Sequence, residues 1–453
     1  MSYSADVQRI LKDRFLLSQL RPGQKEVIES VLSKRDTLVV MPTGSGKSLC
    51  FQIPAALLGG VCLVVSPLIA LMQDQVKGLK AKGFLAGSLH SGMTSAEKLN
   101  VLNELQSHYK KPTQEIESYR SRDRAPYFLF VSPERLSQEA FLIFLKSLNL
   151  QLIVIDEAHC ILEWGFDFRP DYQKLHILKE SFEVPILALT ASATPIIRKE
   201  IIKYLKLKNS KQLCFGFFRS KLFNEVKLCS DFESKLKLTA RAIEKISEGR
   251  ILIYCATRLQ CETVAERLKL QFQAIAFYHA GLTTAQRTEI QNQLNDKRLR
   301  ILCCTCAFGM GIDYPDVRLV VHFEVPTSIE ELYQESGRAG RDQAAAHILT
   351  LFTERDLVRK ALQVSSHNRR PGEANRRIKA LRDLESYLKL KKCRHYMISE
   401  YFGDFLSFQN SKECGVCDVC CGFKNSLEAN GARTISHSGL RNRITRIRQR
   451  DLT

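Results

Sequence analysis

The segment MPTGSGKS, residues 41–48, constrains the fold of this chain more than any other stretch of the sequence. It follows the strand-like run TLVV and precedes the helix-like run LCFQIPAALL. Its glycines let backbone N–H groups close around phosphate oxygens, its lysine can reach the β and γ phosphates, and its last serine can bind Mg²⁺. Because a strand, a loop and a helix follow one another here, we expect an α/β domain with a nucleotide site at the helix N-terminus. The residues assigned to the nucleotide are Thr43, Gly44, Ser45, Gly46, Lys47 and Ser48.

An acidic motif, DEAH, follows a second strand-like run. The run QLIVI, residues 151–155, has the apolar, β-branched composition of a strand buried in a parallel sheet, so Asp156 and Glu157 should emerge at its carboxyl end. Open α/β sheets place ligands at that end. With Ser48, Asp156 can hold a nucleotide-bound Mg²⁺, and Glu157 can orient or deprotonate the attacking water. Acidic tetrapeptides also cap helices, but the phosphate loop upstream favours the catalytic interpretation.

Strand-like runs alternate with helical stretches along the whole chain, which is the pattern of parallel sheets built from βα units. The first series consists of TLVVM, VCLVVSP, YFLFVSP, QLIVIDE and ILALTAS, and the second of ILIYCATR, AIAFYHAG, RILCCTCAFGMG, LVVHFEVP and HILTLF. The polar stretch near residues 107–126 interrupts the first series and is typical of a surface insertion. We expect two α/β units joined by a linker near residues 208–235.

The formal net charge of +19 points to a polyanionic partner, because a basic surface attracts nucleic acid whatever the fold. The 15 cysteines, without a signal-peptide pattern, indicate a reducing compartment in which thiols stay reduced. No apolar run approaches the roughly 18 to 20 residues of a membrane span. We therefore expect a cytoplasmic protein, associated with the nucleoid if it is bacterial, and no membrane partner.

Four cysteines late in the sequence have the spacing of a metal site. Three of them form two successive CxxC steps, and the more distant fourth can complete a tetrahedral set of thiolates that suits Zn²⁺. Such a site has no open position, so the zinc would be structural. Cys421 or His395 stays open as a replacement ligand, and a disulfide is the weaker alternative in a reducing compartment. The four predicted ligands are Cys393, Cys414, Cys417 and Cys420.

The motifs occur in an order that resembles superfamily 2 helicases and, within that superfamily, the RecQ family of DNA helicases. The phosphate loop matches motif I of these enzymes, and DEAHC matches motif II. A chance occurrence of so many motifs in one order is implausible. The other matching segments are LRPGQ (20–24), SPLIALMQDQ (66–75), VSPERL (131–136), TASAT (190–194), IYCATR (253–258), CTCAFGMGID (304–313) and YQESGRAGRD (333–342).

The resemblance implies an α/β fold with two RecA-like parallel-sheet lobes followed by a helical zinc-binding module. The implied units are a first lobe with the ATP site at 1–208, a second lobe at 209–352, a helical hairpin and zinc module at 353–425, and a basic tail at 426–453. The winged-helix and terminal helical domains of many relatives are expected to be absent. The implied cofactors are ATP, Mg²⁺ and Zn²⁺.

The resemblance also assigns residues to the nucleotide site. Gln24 offers an amide that can contact the adenine edge, and Arg21 or Phe15 can stack beside it. Arg341 is implied as the arginine finger and Arg338 as its neighbour, because guanidinium groups suit charge developing on the γ-phosphoryl group. The alternatives are a surface glutamine at a helix start and arginines held in surface ion pairs.

Two groups of residues are implied to bind DNA. Polar residues that end strands can grip phosphates without reading sequence, although such a Ser or Thr is often a helix cap. Aromatic and cationic residues just after the acidic motif can stack on unpaired bases, although a lone Trp is ordinarily a core residue. The first group is Ser66, Thr190, Arg258 and Thr305, and the second is Trp164, Phe166, Phe168 and Arg169.

The activity that the resemblance implies is ATP-dependent 3′ to 5′ DNA unwinding, in which hydrolysis drives translocation on single-stranded DNA, in repair or recombination. The expected partners are single-stranded DNA and forked or tailed duplexes; the sequence leaves a monomer and any protein partners open. Two other functions stay open. One is an RNA-directed motor or a translocase without processive unwinding, and the other is a nucleic-acid-binding regulator with a vestigial ATPase.

Overall fold

The computed structural model of the chain describes residues 4–42, 44–109, 125–163, 170–308, 314–365, 371–408 and 411–422. Two parallel sheets, each flanked by helices, are followed by three further helices and a cysteine-rich loop. This architecture confirms the predicted α/β class with two parallel-sheet lobes and a helical module. Among the described residues, no helix has the length and apolar character needed to cross a membrane.

The first sheet has seven parallel strands. Apolar residues of β-branched type dominate its central strands, which are buried along their length as expected for a sheet covered on both faces. In chain order the strands are β1 (Thr37–Val40), β2 (Val61–Val65), β3 (Leu85–Leu89), β4 (Tyr127–Val131), β5 (Leu150–Ile155), β6 (Ile186–Thr190) and β7 (Lys211–Cys214). Their spatial order is β3-β4-β2-β5-β6-β1-β7.

Helices cover both faces of this sheet. Alternate side chains of β5 enter two different cores, because Ile153 and Ile155 point to one face while Leu152 and Val154 point to the other. The helices are α1 (Ser4–Phe15), α2 (Gln24–Leu32), α3 (Leu49–Leu58), α4 (Ile69–Ala81), α5 (Ser95–Tyr109), α6 (Glu139–Lys146), α7 (Cys160–Glu163), α8 (His176–Ser181) and α9 (Pro195–Tyr204).

The second sheet has six parallel strands and the order β10-β11-β9-β12-β13-β8. Its strands are β8 (Leu222–Leu228), β9 (Arg250–Tyr254), β10 (Ile275–Tyr278), β11 (Ile301–Cys304), β12 (Val317–His322) and β13 (Ala346–Phe352). Its helices are α10 (Phe232–Glu244), α11 (Arg258–Lys269), α12 (Thr284–Asn295) and α13 (Ile329–Ser336).

The segment that connects the two lobes is shorter in the structure than the sequence predicts. β7 pairs with β1, so the first sheet continues past the expected boundary at residue 208, and β8 already belongs to the second sheet. Both strands fall in the stretch 208–235 that the sequence predicted as linker. Residues 215–221 are therefore the segment that joins the two sheets.

The third region packs on the second lobe. The helix α15 contacts both α14 and α13, and a loop with four cysteines follows α16. The three helices are α14 (Glu354–Ser365), α15 (Pro371–Lys389) and α16 (Arg394–Phe402). The expected basic tail at 426–453 and most of the expected insertion at 107–126 lie outside the described residues.

Candidate active site and metal centre

The phosphate loop runs from the end of β1 to the start of α3. Gly44 and Gly46 have φ angles of 78° and 84°, in the left-handed region that favours glycine. A Cβ on Gly46 would lie 2.6 Å from Nε2 of Gln24, so only glycine fits there. Ser48 is the N-cap of α3 and makes no side-chain cap hydrogen bond, which leaves the helix N-terminus open to an anion. Thr43 lies outside the described residues.

The two residues predicted to contact adenine, Gln24 and Arg21, form hydrogen bonds with the backbone of the phosphate loop. Gln24 is fully buried, and its Nε2 donates to the carbonyl oxygens of Gly46 (2.9 Å) and Ser45 (3.2 Å). Its Oε1 accepts from the backbone N–H of Arg21 at 2.8 Å, and the Arg21 guanidinium donates to the Gly44 carbonyl. Both side chains thus help to shape the phosphate loop, and their contact with adenine stays a prediction.

Lys47 fits a phosphate ligand. Its Nζ is buried, and among the described residues it has no hydrogen-bond partner. A buried ammonium group without an acceptor is costly, so this position suits an anion that supplies the missing acceptors. The N-terminus of α3, where Ser48 makes no side-chain cap hydrogen bond, adds the partial positive charge of the helix dipole beside it. Together they match the triphosphate of a nucleotide.

Asp156 and Glu157 lie at the carboxyl end of β5. Burial, reinforced by the neighbouring Glu157, raises the pKa of Asp156 to about 6. Burial opposes ionisation of Glu157 as well, but Lys47 and His159 outweigh it and lower the pKa of that carboxyl group. Glu157 has a φ of 47°, a strained conformation for a non-glycine residue at a functional site. A buried carboxylate that resists ionisation next to Lys47 suits Mg²⁺ as a counter-charge, as expected for Asp156.

His159 links the acidic motif to the end of β6. Its Nδ1 lies 2.9 Å from Oγ1 of Thr190 and 3.3 Å from Oε2 of Glu157. At the same sheet edge, the Oγ of Ser192 accepts a hydrogen bond of 3.2 Å from Nε2 of Gln334, which belongs to the second lobe. The acidic motif is therefore connected through short polar contacts to the boundary between the lobes.

The second lobe brings two arginines to this boundary. Arg338 and Arg341 lie in the turn that follows α13, and the side chain of Arg341 reaches the phosphate loop. A Cβ on Gly44 would lie 3.2 Å from Cγ of Arg341. The turn therefore places a guanidinium side chain against the loop of the first lobe, where an arginine finger needs to be.

The predicted DNA residues occupy different environments. Arg258 is exposed at the start of α11, whereas the side chains of Ser66, Thr190 and Thr305 are buried at the carboxyl ends of β2, β6 and β11. Thr190 also shares its hydroxyl with His159, so its position favours a role inside the first lobe over a direct DNA contact. The group Trp164, Phe166, Phe168 and Arg169 lies outside the described residues.

The four predicted zinc ligands form one cluster. Their sulfur atoms all lie within 4.8 Å of one another, and the sulfurs of Cys414 and Cys420 are 3.9 Å apart. Tetrahedral zinc with Zn–S bonds of about 2.3 Å requires sulfur atoms about 3.8 Å apart, so the set fits the ion. The predicted alternatives do not join it: Cys421 donates to the Gly415 carbonyl, and His395 contacts the Leu222 carbonyl at 2.9 Å.

The cysteine loop is docked onto β8, the edge strand of the second sheet. Cys417 forms a β-bridge with Asn224, and the N–H of Val226 donates to the Asp418 carboxylate at 3.1 Å. Asp418 is also paired with Arg394 at 2.9 Å, with both side chains only 1% exposed. A metal site here therefore holds the edge of the second lobe as well as its own loop.

The sequence did not identify several of these residues. His159, Gln334 and Asp418 act through contacts with residues far along the chain, and Arg219 donates to the turn that carries the two arginines. No local pattern marks such contacts, because each depends on tertiary packing. His159 and Gln334 are exceptions, since they belong to the segments DEAH and YQESGRAGRD that the sequence did single out.

Comparison with known families agrees with this geometry. The DEAD/DEAH box helicase family matches residues 21–201, the helicase conserved C-terminal domain matches 234–343, and the RecQ zinc-binding family matches 354–421. The ATP-dependent DNA helicase RecQ of Haemophilus influenzae is 37% identical over 91% of this chain and 63% of its own length. The chain belongs to the RecQ helicase family. The RecQ resemblance seen in the sequence is thereby confirmed.

Other RecQ relatives match over a similar range. The ATP-dependent DNA helicase RecQ of Bacillus subtilis is 35% identical over 91% of this chain and 66% of its own length. The RecQ-like DNA helicase BLM of Xenopus laevis is 34% identical over 93% of this chain and 31% of its own length. The chain thus spans between about a third and two thirds of the length of these relatives.

Solved structures share the two-lobe fold. The DUF1998 helicase MrfA bound to DNA and AMPPNP has a TM-score of 0.59 at 18% identity, over 80% of this chain and 52% of MrfA. Dbp5 of S. cerevisiae bound to RNA and ADP BeF3 has a TM-score of 0.55 at 15% identity, over 89% of this chain and 94% of Dbp5. At these identities the likeness concerns the fold alone.

Proposed function

We propose that this RecQ-family chain is an ATP-dependent DNA helicase that moves 3′ to 5′ on single-stranded DNA. The observation that carries the proposal is the junction of the two lobes. There the buried Lys47 ammonium has no hydrogen-bond acceptor within the described part of the chain, and the Arg341 side chain lies against Gly44. A nucleotide at this junction would contact both lobes, so its hydrolysis can change how the lobes close on each other.

Each residue of the junction has a defined task in this proposal. Lys47 and the open end of α3 bind the phosphates, and Glu157 orients the attacking water and accepts its proton. Ser48 and Asp156 would hold Mg²⁺, which neutralises charge on the phosphate oxygens. Arg341 stabilises the charge that develops on the γ-phosphoryl group, with Arg338 beside it.

DNA is the proposed track. The relatives that cover most of this chain are named as DNA helicases, and the net charge of +19 suits a phosphate backbone. In this proposal Arg258, Ser66 and Thr305 contact backbone phosphates when the lobes close. The segment 164–169 stacks on bases, which is a proposal from its sequence alone. Single-stranded DNA and forked or tailed duplexes are the proposed substrates, and repair or recombination the proposed setting.

The zinc module is proposed to be structural, since its four thiolates leave no position for a substrate. It stabilises the second lobe through the bridge between Cys417 and Asn224. We further propose that the protein works as a monomer in the cytoplasm, or on the nucleoid in a bacterium.

Unwinding assays test the proposed function. A forked duplex with a 3′ single-stranded tail should be opened in the presence of ATP and Mg²⁺, whereas a duplex with only a 5′ tail should stay paired. Loss of the general base in Glu157→Gln should lower kcat of the DNA-stimulated ATPase by roughly 10²- to 10⁴-fold while nucleotide binding persists. Glu180→Gln, which removes an exposed carboxylate that pairs with Lys206, is the matched control and should behave as wild type.

The alternatives give different results in the same assays. Stimulation by RNA in preference to DNA would identify an RNA-directed motor, and stimulated hydrolysis without unwinding would identify a translocase. Nucleic-acid binding without any ATPase would identify a regulator. Opening of the 5′-tailed duplex would reverse the proposed direction, and wild-type hydrolysis by Glu157→Gln would remove that residue from the mechanism.

A further inference from the structure

Arg219 holds the turn that carries the two arginines of the second lobe. It lies in segment 215–221, which joins the sheets, and its guanidinium donates to three carbonyl oxygens of the turn. These carbonyls belong to Gly337 (3.4 Å), Ala339 (3.0 Å) and Gly340 (2.7 Å). The three residues flank Arg338 and directly precede Arg341 in the sequence. One side chain thus fixes the backbone on both sides of Arg338 and immediately before Arg341.

The turn needs such a donor. It begins where α13 ends, and the last carbonyl groups of a helix have no partner within the helix. Gly340 has a φ of 56°, and a Cβ at this position would lie 2.7 Å from the carbonyl oxygen of Ala344. The backbone is therefore tightly bent just before Arg341. A planar guanidinium with several donors can satisfy adjacent carbonyls of such a bend in a way that a single ammonium group cannot.

Arg219 also lies in the positive field of the nucleotide junction. Burial lowers the pKa of its guanidinium, and although Tyr333 opposes this effect, the nearby Arg341 and Arg21 lower the pKa further. The guanidinium nevertheless stays charged at neutral pH because the ordinary pKa of arginine is so high. Three like charges that converge beside the phosphate loop make the site favourable for a polyanion such as a triphosphate.

The segment that carries Arg219 is itself anchored. The N–H of Phe217 donates to the carboxylate of Asp404 at 3.0 Å, in the third region of the chain. The Phe217 ring stacks on Phe402 with a centroid distance of 4.3 Å and on Tyr333 with a centroid distance of 5.0 Å. Arg219 is therefore attached to a rigid base and does not depend on a mobile linker.

We propose that Arg219 is a positioning residue for the arginine finger: it holds the turn 337–341 so that Arg341 points at the phosphate loop. This inference rests on the proposed ATPase function and extends it, because it makes the segment between the sheets part of the catalytic geometry. Arg219 itself touches carbonyl oxygens of the turn, and its effect on hydrolysis passes through Arg341.

The test compares Arg219→Ala and Arg219→Lys with the matched control Arg300→Ala. Arg300 is also half-buried in the second lobe and donates to two turn carbonyls, those of Gly249 and Ile246, far along the chain from the arginines. We expect Arg219→Ala to lower kcat of the DNA-stimulated ATPase about 10- to 100-fold, because small misplacements of a catalytic group cost that much. KM for ATP should change less than about threefold, and Arg219→Lys should recover part of kcat.

Hydrogen exchange supplies a readout that does not depend on activity. In the wild-type chain without nucleotide, the N–H of Gly340 donates to the Val317 carbonyl, and the N–H of Gln343 donates to the Gly340 carbonyl. Their exchange should accelerate in Arg219→Ala and stay unchanged in Arg300→Ala. Unchanged exchange of the turn would overturn the proposal, and so would an equal loss of kcat in Arg219→Ala and Arg300→Ala. A wild-type chain without ATPase would refute the proposed function, while the exchange data would still decide whether Arg219 holds the turn.

Discussion

The two sheets have the same strand order apart from β7, which extends the first sheet, but the lobes use the matching strands β1 and β8 in opposite ways. β1 of the first sheet corresponds to β8 of the second. β1 lies beside β6 in the first sheet, and β8 lies beside the matching strand β13 in the second. β1 leads into the phosphate loop, and the N-terminus of α3 has no side-chain cap. β8 leads to Asp231, whose carboxylate accepts from the N–H of Ser234 and closes the N-terminus of α10. One helix end is open to an external anion, whereas the other is occupied by an anion of its own.

The outermost strands show what the lobes have in common. β3 and β10 both lead into a His-x-Gly-x-Thr turn, and in each turn the threonine hydroxyl accepts a backbone N–H at the start of the next helix. The two turns are His90, Gly92 and Thr94 in the first lobe and His279, Gly281 and Thr283 in the second. The scaffold is therefore repeated, while the groups at the strand ends of the junction differ. The chemistry therefore depends on the residues at those strand ends and not on the sheet.

The largest expected effect concerns the second lobe's contribution to hydrolysis. If the first lobe binds the nucleotide and the second supplies charge to the transition state, Arg341→Ala should lower kcat by about 10³-fold or more. Affinity for ATP, measured with a fluorescent analogue, should change far less. Arg341→Lys should remain strongly impaired, because an ammonium group lacks the bidentate geometry of guanidinium.

Arg267→Ala is the matched control for this substitution. Arg267 is an exposed arginine of the same lobe and pairs with Glu233, so its loss should leave both parameters near wild type. If Arg341→Ala lost as much ATP affinity as kcat, Arg341 would also bind the nucleotide in the ground state, and nucleotide binding could not be assigned to the first lobe alone.

The sequence predicted the centre of each sheet better than its edges. The buried central strands are continuous apolar runs, which are recognisable without knowledge of the fold. The strands that it missed are β3, β7 and β8, all at sheet edges. β3 contains Gly and Ser, and β8 alternates buried with half-buried residues, so neither has the signature of a fully buried strand. The sequence therefore predicts a linker over the stretch 208–235, which contains β7 and β8.

The site was predictable to the extent that strand ends define it. Asp156 and Glu157 directly follow β5, Lys47 lies in the loop that follows β1, and parallel strands place such residues at one edge of the sheet. The burial of Thr190 was not predictable, because it depends on the position of β6 inside the sheet and on His159 from another strand end. The role of Arg219 depends on contacts with residues more than a hundred positions away and has no local signal.

If the zinc module supports the second lobe in particular, loss of zinc should loosen that lobe more than the first. Cys417→Ser should lower the zinc content well below one ion per chain. Structural zinc contributes roughly 10 kcal/mol or more to the folding of small modules, so the substitution should remove a large share of that stabilisation. Because Cys417 pairs with Asn224, hydrogen exchange should accelerate along β8 and leave β1 almost unchanged. Cys421→Ser, which alters an exposed neighbouring thiol, should retain zinc and stability.

Zinc loss from Cys421→Ser equal to that from Cys417→Ser would reassign the ligands. Equal acceleration of exchange in β1 and β8 would mean that the module supports both lobes and that the lobes form one cooperative unit.

The smallest expected effect concerns the N-terminus of α10, which Asp231 caps, in contrast to the uncapped N-terminus of α3. Asp231→Ala removes the cap of α10 and should lower the melting temperature by a few degrees at most. Asp231→Asn keeps an oxygen acceptor at the helix end and should be close to wild type. Neither substitution should change ATP affinity or the stoichiometry of nucleotide binding, because α10 has no lysine equivalent to Lys47 at its start. A change in ATP affinity in Asp231→Ala would show that the closed helix end communicates with the open one, and the two ends could no longer be treated as independent.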